Sequence, residues 1–372
     1  MNKAKLDKLN IQDILGLTPM QEGMLFHYLC NSESKQYLEQ LCLTLCGEID
    51  ENIIKKAWNH VVHNNEMLRT IFKWDKLDKP LQIVLKQYEI PYVQYELSNM
   101  NSADKIMQIM DIKDSELNRK INISENPLRM TIVKLDSSKF ELIITYHHIL
   151  YDGWSNGILL KEFVQACNSL CANKPPSIIT KNKFKEFIKH CQKQDKAKQE
   201  AFWGKYFNDY EIKSTIAAKA SYSKDCVVNS KINYKFNKKI SEGIYEFCKK
   251  EKTTVAAILY TAWGILLQKY NNTNDIVFGT TVSGRNADIT GIEDMVGLLI
   301  NTLPLRVNNT DGESIQSLLE KVDSILKERD EYQSTPLVDI KSYSGIESKE
   351  ELFNTLVVIE NYPLDQALFS SD

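Results

Sequence analysis

The chain has 372 residues, enough for two or three domains and for a real hydrophobic core without disulfide staples. Lysine and arginine number 46 against 49 aspartates and glutamates, a formal net charge of −3, so nothing electrostatic points to nucleic acid. With 43% hydrophobic and 26% charged residues, the composition excludes collagen-like, coiled-coil and disordered classes. The longest strongly apolar stretch, Val255–Leu267, is shorter than the about 20 residues that a bilayer needs. The first sixteen residues carry charges but no apolar export region, so the chain reads as cytoplasmic. Eight cysteines are scattered without a zinc spacing, and the two Cys-x-x-x-Cys pairs, Cys42/Cys46 and Cys167/Cys171, lack a second half. Buried reduced thiols, and no metal, are the expectation.

In chain order, Thr18-Pro19-Met20-Gln21 predicts a helix start: Thr18 caps, Pro19 opens the first turn and Gln21 completes a capping box. Leu38–Leu45 is strand-like. After Asp50, residues Ile53, Ile54, Ala57, Trp58, Val61 and Val62 make the apolar face of a second helix, whose His60 and His63 belong to its polar side. Leu128–Leu135 and Phe140–Tyr146 form a hairpin around Asp136-Ser137-Ser138-Lys139. The second run ends at His147-His148, and Ser155 is placed to cap a following helix. Asn173-Lys174-Pro175-Pro176-Ser177 breaks the pattern and is taken as the boundary between two lobes. Beyond it the spacing predicts a long helix over Phe184–Phe207, a loop over 211–225 and a strand over Val227–Phe236. Helices over Ile240–Lys249 and Val255–Tyr270 and a strand over Asp275–Val282 come next. A small-residue loop over Ser283–Met295, a strand over Leu303–Val307, a helix over Ile315–Tyr332 and a strand over Leu356–Glu360 complete the order.

The run suited to chemistry is His147-His148-Ile149-Leu150-Tyr151-Asp152-Gly153. Imidazole titrates near neutral pH, and a strand end aims a loop side chain from a rigid scaffold. Successive strand residues face opposite ways, so at most one histidine faces a given cleft. Asp152 could hold an imidazole or, paired with an arginine, fix the loop; Arg69 and Arg285 are the candidate partners. The glycine at 153 permits a φ that other residues resist. On chemistry alone, a surface histidine pair beside an ordinary Asp-Gly turn remains open. Gly279–Arg285 lacks the lysine and spacing of a phosphate-binding loop, so no nucleotide is expected.

HHILYDG resembles the HHxxxDG signature of condensation domains of nonribosomal peptide synthetases. Leu17–His27, Asn65–Phe72, Tyr260–Tyr270 with Asp275–Arg285, Met295–Arg306 and Asn361–Asp365 resemble further motifs of that family in the same order. The resemblance implies an α/β fold of two chloramphenicol acetyltransferase-like lobes in a V, with a tunnel between them. It divides the chain into a docking or linker segment (1–16), an N-terminal lobe (17–176) and a C-terminal lobe (177–372). It implies amide-bond formation between a donor acyl or peptidyl thioester and an acceptor aminoacyl thioester. Both are carried on 4'-phosphopantetheine arms of upstream and downstream carrier proteins, and the domain itself binds no cofactor.

The same resemblance makes His148 the catalytic position, as base or positioning group, and lets the Gly153 N–H approach the oxyanion. His147, Asp152, Arg69 and Arg285 become structural; Trp154, Ser155 and, more weakly, Asn301 lie toward the tunnel. Residues Met1–Leu15 resemble a segment that receives an upstream synthetase subunit, and an adenylation domain is expected to adjoin. A dual epimerising and condensing domain, or an inert fragment, are the alternatives; heterocyclisation is disfavoured because its relatives replace the paired histidines with aspartate. Family members continue for several strands beyond Asn361–Asp365, so the C-terminal lobe is expected to be incomplete with an open sheet edge.

Overall fold

The computed structural model describes residues 7–31, 35–47, 49–211, 230–347 and 350–360. The described chain forms two compact units. The first runs to Lys193 and takes back Arg285–Ile300; the second comprises Gln194–Gly284 and Asn301–Glu360. The division thus falls later than the expected boundary near residue 176. The reason is visible in the packing: Phe184, Phe187 and Ile188 all sit in the first unit's core.

The first unit contains β1 (Ile11–Gly16), α1 (Pro19–Cys30), β2 (Leu38–Cys46), α2 (Glu51–Asn64), β3 (Thr70–Lys73), β4 (Leu81–Leu85) and β5 (Tyr92–Glu96). These are followed by α3 (Ser102–Asn118), β6 (Leu128–Lys134), β7 (Lys139–His147), α4 (Gly153–Cys171) and α5 (Phe184–Gln192). One sheet has the order β2-β7-β6-β5 and a second the order β1-β4-β3. Within the first sheet only β5 and β6 run parallel. β7 is interior to it, and Phe140 through His147 are all buried. An interior strand reads as a nearly continuous apolar run because both faces are covered.

The capping box predicted for α1 is present: the Thr18 side chain accepts from the Gln21 N–H, and the Gln21 side chain accepts from the Thr18 N–H. α2 buries Ile54, Ala57, Trp58, Val61 and Val62, the predicted face, and Trp58 stacks on Phe163 of α4. At the end of α2, Asn65 Nδ2 donates to Glu162 at 2.7 Å while its Oδ1 accepts from Lys181 at 2.8 Å. Lys181 also pairs with the Glu162 carboxylate, and both side chains are almost wholly buried. The Phe184 N–H donates to Glu66 at 2.6 Å. These contacts fasten the polar 174–184 stretch onto the first unit, which is why its Pro-Pro pair does not end that unit.

The second unit holds α6 (Lys196–Tyr206), α7 (Lys238–Glu251), α8 (Val255–Asn271), β8 (Asp275–Val282), β9 (Asn301–Asn308), α9 (Ile315–Asp330), α10 (Leu337–Tyr343) and β10 (Leu356–Val357). Its sheet has the order β10-β8-β9, with β10 parallel and β9 antiparallel to β8. Three sequence expectations change. The long helix over 184–207 is two helices, because Asp195 breaks off and caps α6, accepting from the Ala197 and Lys198 N–H groups. Within the expected strand over 227–236, residues 230–236 form no strand, and 227–229 lie outside the described residues. The last strand is confined to Leu356–Val357. The motif at Asn361–Asp365, residues 1–6 of the expected N-terminal docking stretch and residues 212–225 of the expected loop also lie outside the described residues. No helix among the described residues is long and apolar enough to cross a membrane.

Candidate active site

The site is built at the C-terminal end of β7. His147 closes the strand, paired opposite Leu38 of β2. Its side chain is 1% exposed, and Nδ1 accepts the Ile149 N–H at 3.1 Å. An accepting Nδ1 places the proton on Nε2. Burial, and secondarily the neighbouring His148, push the imidazole down to about 3, so His147 is neutral across the physiological range. The Tyr28 ring meets it edge-on at 5.6 Å.

His148 is the first residue past the strand and is only partly buried. Its backbone N–H donates to the Tyr37 carbonyl at 2.8 Å. Its Nδ1 is buried and has no hydrogen-bond partner among the described residues. Tyr37 holds φ at +65°, a left-handed conformation unusual for a bulky residue, at the point where its carbonyl accepts from His148.

Asp152 is the N-cap of α4 and is fully buried. Ser155, expected to cap, is instead the third helical residue: its N–H and its hydroxyl both donate to Asp152 Oδ1, at 3.1 and 2.9 Å. Arg285 reaches the same carboxylate with two arms, Nη1 to Oδ2 at 2.8 Å and Nη2 to Oδ1 at 3.0 Å. The Leu299 N–H adds a fifth bond to Oδ2 at 3.1 Å. The carboxylate is therefore saturated, and Arg285 is the partner of Asp152.

Arg69, the other candidate, is not. It donates to Gln12 Oε1 at 2.6 Å and to the Leu85 carbonyl, bracing β1 and β4. Its guanidinium is held below the usual arginine range by burial and raised in turn by Glu66.

Gly153 is the first residue of α4. It is absent from the positive-φ glycines, so the expectation of an unusual φ is corrected. What the position offers is a helix-start N–H with no intrahelical acceptor. Trp154 Nε1 donates to the Glu293 carbonyl at 3.0 Å, and the Arg285 guanidinium lies 5.1 Å from the Trp154 ring centre. Both Trp154 and Ser155 thus tie α4 to the 285–300 segment. Asn301 is not brought to this cluster: it belongs to the second unit, where Nδ2 donates to the Gln333 and Thr335 carbonyls at 2.9 and 2.7 Å.

Gly297 was not singled out from sequence, and Ser155 has a task other than the expected cap. Ser155 bridges the Asp152 carboxylate and the 297 peptide, donating to Gly297 O at 3.3 Å and accepting its N–H at 3.2 Å. Gly297 itself lies against Phe184, and a Cβ there would fall 2.5 Å from Cδ2 of that ring. A single glycine between the apolar pairs 295–296 and 298–299 is the only trace of this in the sequence. Gly297→Ala is expected to cost about 1–3 kcal/mol by overpacking. A lowered urea midpoint, partly restored by adding Phe184→Leu, checks this.

The family model for the condensation domain matches residues 11–371. The chain belongs to the condensation-domain family of nonribosomal peptide synthetases. It is 34% identical to tyrocidine synthase 2 of Brevibacillus parabrevis over 97% of this chain, and 10% of that protein. It is 31% identical to surfactin synthase subunit 3 of Bacillus subtilis (strain 168) over 98% of this chain, and 28% of that protein. The chain therefore spans between a tenth and under a third of these curated relatives. Among solved structures, the first condensation domain of the calcium-dependent antibiotic synthetase matches with TM-score 0.75 and 15% identity, covering 93% of this chain and 80% of that one. A four-domain nonribosomal peptide synthetase bound to AMP and glycine matches with TM-score 0.79 and 16% identity, covering 97% of this chain and 27% of that one. At those identities the likeness establishes the fold.

Proposed function

We propose that the chain forms an amide bond between two carrier-bound substrates: a donor acyl or peptidyl thioester and an acceptor aminoacyl thioester, each on a 4'-phosphopantetheine arm. One observation carries the reading. Of the four ionisable side chains in the His147–Gly153 motif, His147 is neutral and spent on the Ile149 N–H, Tyr151 is buried and kept protonated by that burial, and Asp152 is saturated by five hydrogen bonds. His148 alone among them is partly exposed, so its ring is the one a substrate can reach.

The acceptor amine attacks the donor carbonyl carbon. A C–N bond forms, the amine gives up a proton, and the C–S bond breaks as the thiol leaves protonated. His148 orients the amine or takes its proton as the tetrahedral species collapses. The Gly153 N–H is placed to favour the oxyanion. The roles of Asp152 and Arg285 are structural: they hold the start of α4, and with it Gly153, at a fixed distance from the end of β7. Trp154 and Ser155 act with them rather than on substrate. Upstream and downstream carrier proteins are the partners this chemistry needs.

Loaded donor and acceptor carriers, mixed with the chain, should yield an acceptor carrier whose intact mass has gained the donor acyl group. His148→Ala should lower the rate by about a hundredfold or more while leaving thermal stability near that of the parent. Absence of product from the unmutated chain would overturn the reading.

A further inference from the structure

The backbone that follows His148 is held from a direction the motif does not announce. Gln21 and Gln82 are both fully buried. Their amides pair reciprocally, Gln21 Nε2 to Gln82 Oε1 at 3.2 Å and Gln82 Nε2 to Gln21 Oε1 at 3.0 Å. The orientation of each amide is fixed by its other partners. Gln21 Oε1 accepts the Thr18 N–H at 2.9 Å, which only an oxygen can do. Gln82 Nε2 donates to the Gly16 carbonyl at 2.7 Å, which only a nitrogen can do. The remaining hydrogen of Gln21 Nε2 points to the Ile149 carbonyl, 3.2 Å away.

Ile149 is thereby gripped on both sides of its residue, N–H by His147 Nδ1 and C=O by Gln21. Its own side chain is fully buried. Together with the His148 N–H on Tyr37, these bonds leave the His148 Cα little freedom. A buried amide left without partners costs about 1–3 kcal/mol, so the arrangement is strongly favoured as a set.

We infer that Gln21 is a positioning residue for His148, acting through the Ile149 carbonyl, while Gln82 completes the hydrogen bonding of the buried pair and is not needed for that positioning, since Thr18 and Ile149 already hold the Gln21 amide. The inference rests on the proposed role of His148 and adds how that side chain is kept in register. It also gives the Gln21 of the first motif a second task beyond its capping box. The two glutamines differ in one decisive respect: only Gln21 touches the catalytic run, while Gln82 touches Gly16.

The test compares Gln21→Met with Gln82→Met, each removing one amide from the same buried pair. Both should lower the melting temperature by similar amounts. Gln21→Met should lower kcat by about tenfold or more with KM for the acceptor carrier within about twofold, and Gln82→Met should change kcat by less than about threefold. In parallel, the His148 ring signal in a 13C-histidine spectrum, identified by its loss in His148→Ala, should move in Gln21→Met and hold in Gln82→Met. The spectrum needs no carriers, so it decides the inference even if the unmutated chain makes no product. If Gln21→Met does not fold, Gln21→Ala, which likewise removes the donor to Ile149 and leaves room for water at Thr18 and Gln82, takes its place in both measurements. Equal kcat losses in the two variants, or an unmoved His148 signal, would overturn the inference.

Discussion

Arg285→Ala is expected to remove about 3–5 kcal/mol of folding stability and, with it, the capacity to form product. The Asp152–Arg285 pair is buried on both sides, 0% and 4% exposed at the side chains. Removing the guanidinium leaves a carboxylate in the interior with only Ser155 and the Leu299 N–H to compensate it. The Met295 carbonyl, which accepts from Arg285 Nη2 at 3.2 Å, loses that donor too. The loss reaches function because the same carboxylate caps α4, and Gly153 is the next residue. Arg285→Lys keeps the charge but cannot reproduce the two-armed geometry, so an intermediate loss is expected. Urea unfolding monitored with the condensation assay separates the outcomes. Arg69→Ala supplies the contrast: stability falls as β1 and β4 lose their brace, but activity per folded molecule stays near the parent's. A double-mutant cycle of Asp152→Asn with Arg285→Ala should return a coupling energy of a few kcal/mol, since the two groups share their bonds.

Acid should destabilise the first unit through His147 by about 3 kcal/mol between pH 7 and pH 4. The sign follows from the depressed folded-state value of about 3 against an unfolded value of 6.5. Below pH 6.5 the unfolded chain takes a proton at this histidine and the folded chain does not, so falling pH favours unfolding. The contribution is fully present above pH 6.5 and is lost progressively as pH falls toward 3. Carboxylates add their own acid sensitivity, so the readout is a difference between two proteins. His147→Asn keeps an acceptor for the Ile149 N–H and carries no titrating ring. Its stability curve should be flatter than the parent's between pH 6.5 and 4. Parallel curves would show that His147 is not buried neutral.

Much of the site was legible because it is local. The helix start at Thr18, the apolar face of α2 and the hairpin leading to His147 are patterns within a dozen residues, and each appears where expected. HHILYDG located the end of an interior strand for the same reason. What could not be read is what closes through space. Asp152 had two arginines available, and residue spacing does not say which returns to it. Ser155 looked like a cap because it precedes an apolar run, yet Asp152 competes three residues earlier with a charged acceptor already held in place by Arg285. The break at Asp195 was hidden by a helical pattern that runs on both sides of it. The boundary near residue 176 was misread because Pro175-Pro176 signals a turn without revealing that Lys181 and Phe184 re-enter the first core. Gly153 illustrates a subtler limit: glycine in a motif suggests a backbone angle, whereas here its place at the start of α4 is what matters.

The order of the chain imposes a schedule on all this. Arg285 lies 133 residues after Asp152, on a segment that returns to the first unit only after most of the second has been made. At about 5–20 residues per second, a ribosome needs roughly 7–27 s to supply that cation once the aspartate has emerged. During that interval the Asp152 carboxylate has no Arg285 to compensate it. The long loop adds a closure entropy that must be overcome before the ion pair is gained, and such non-local contacts form late. The candidate site is therefore expected to be among the last parts of the first unit to consolidate, and nascent chains that end before Arg285 lack its closing ion pair.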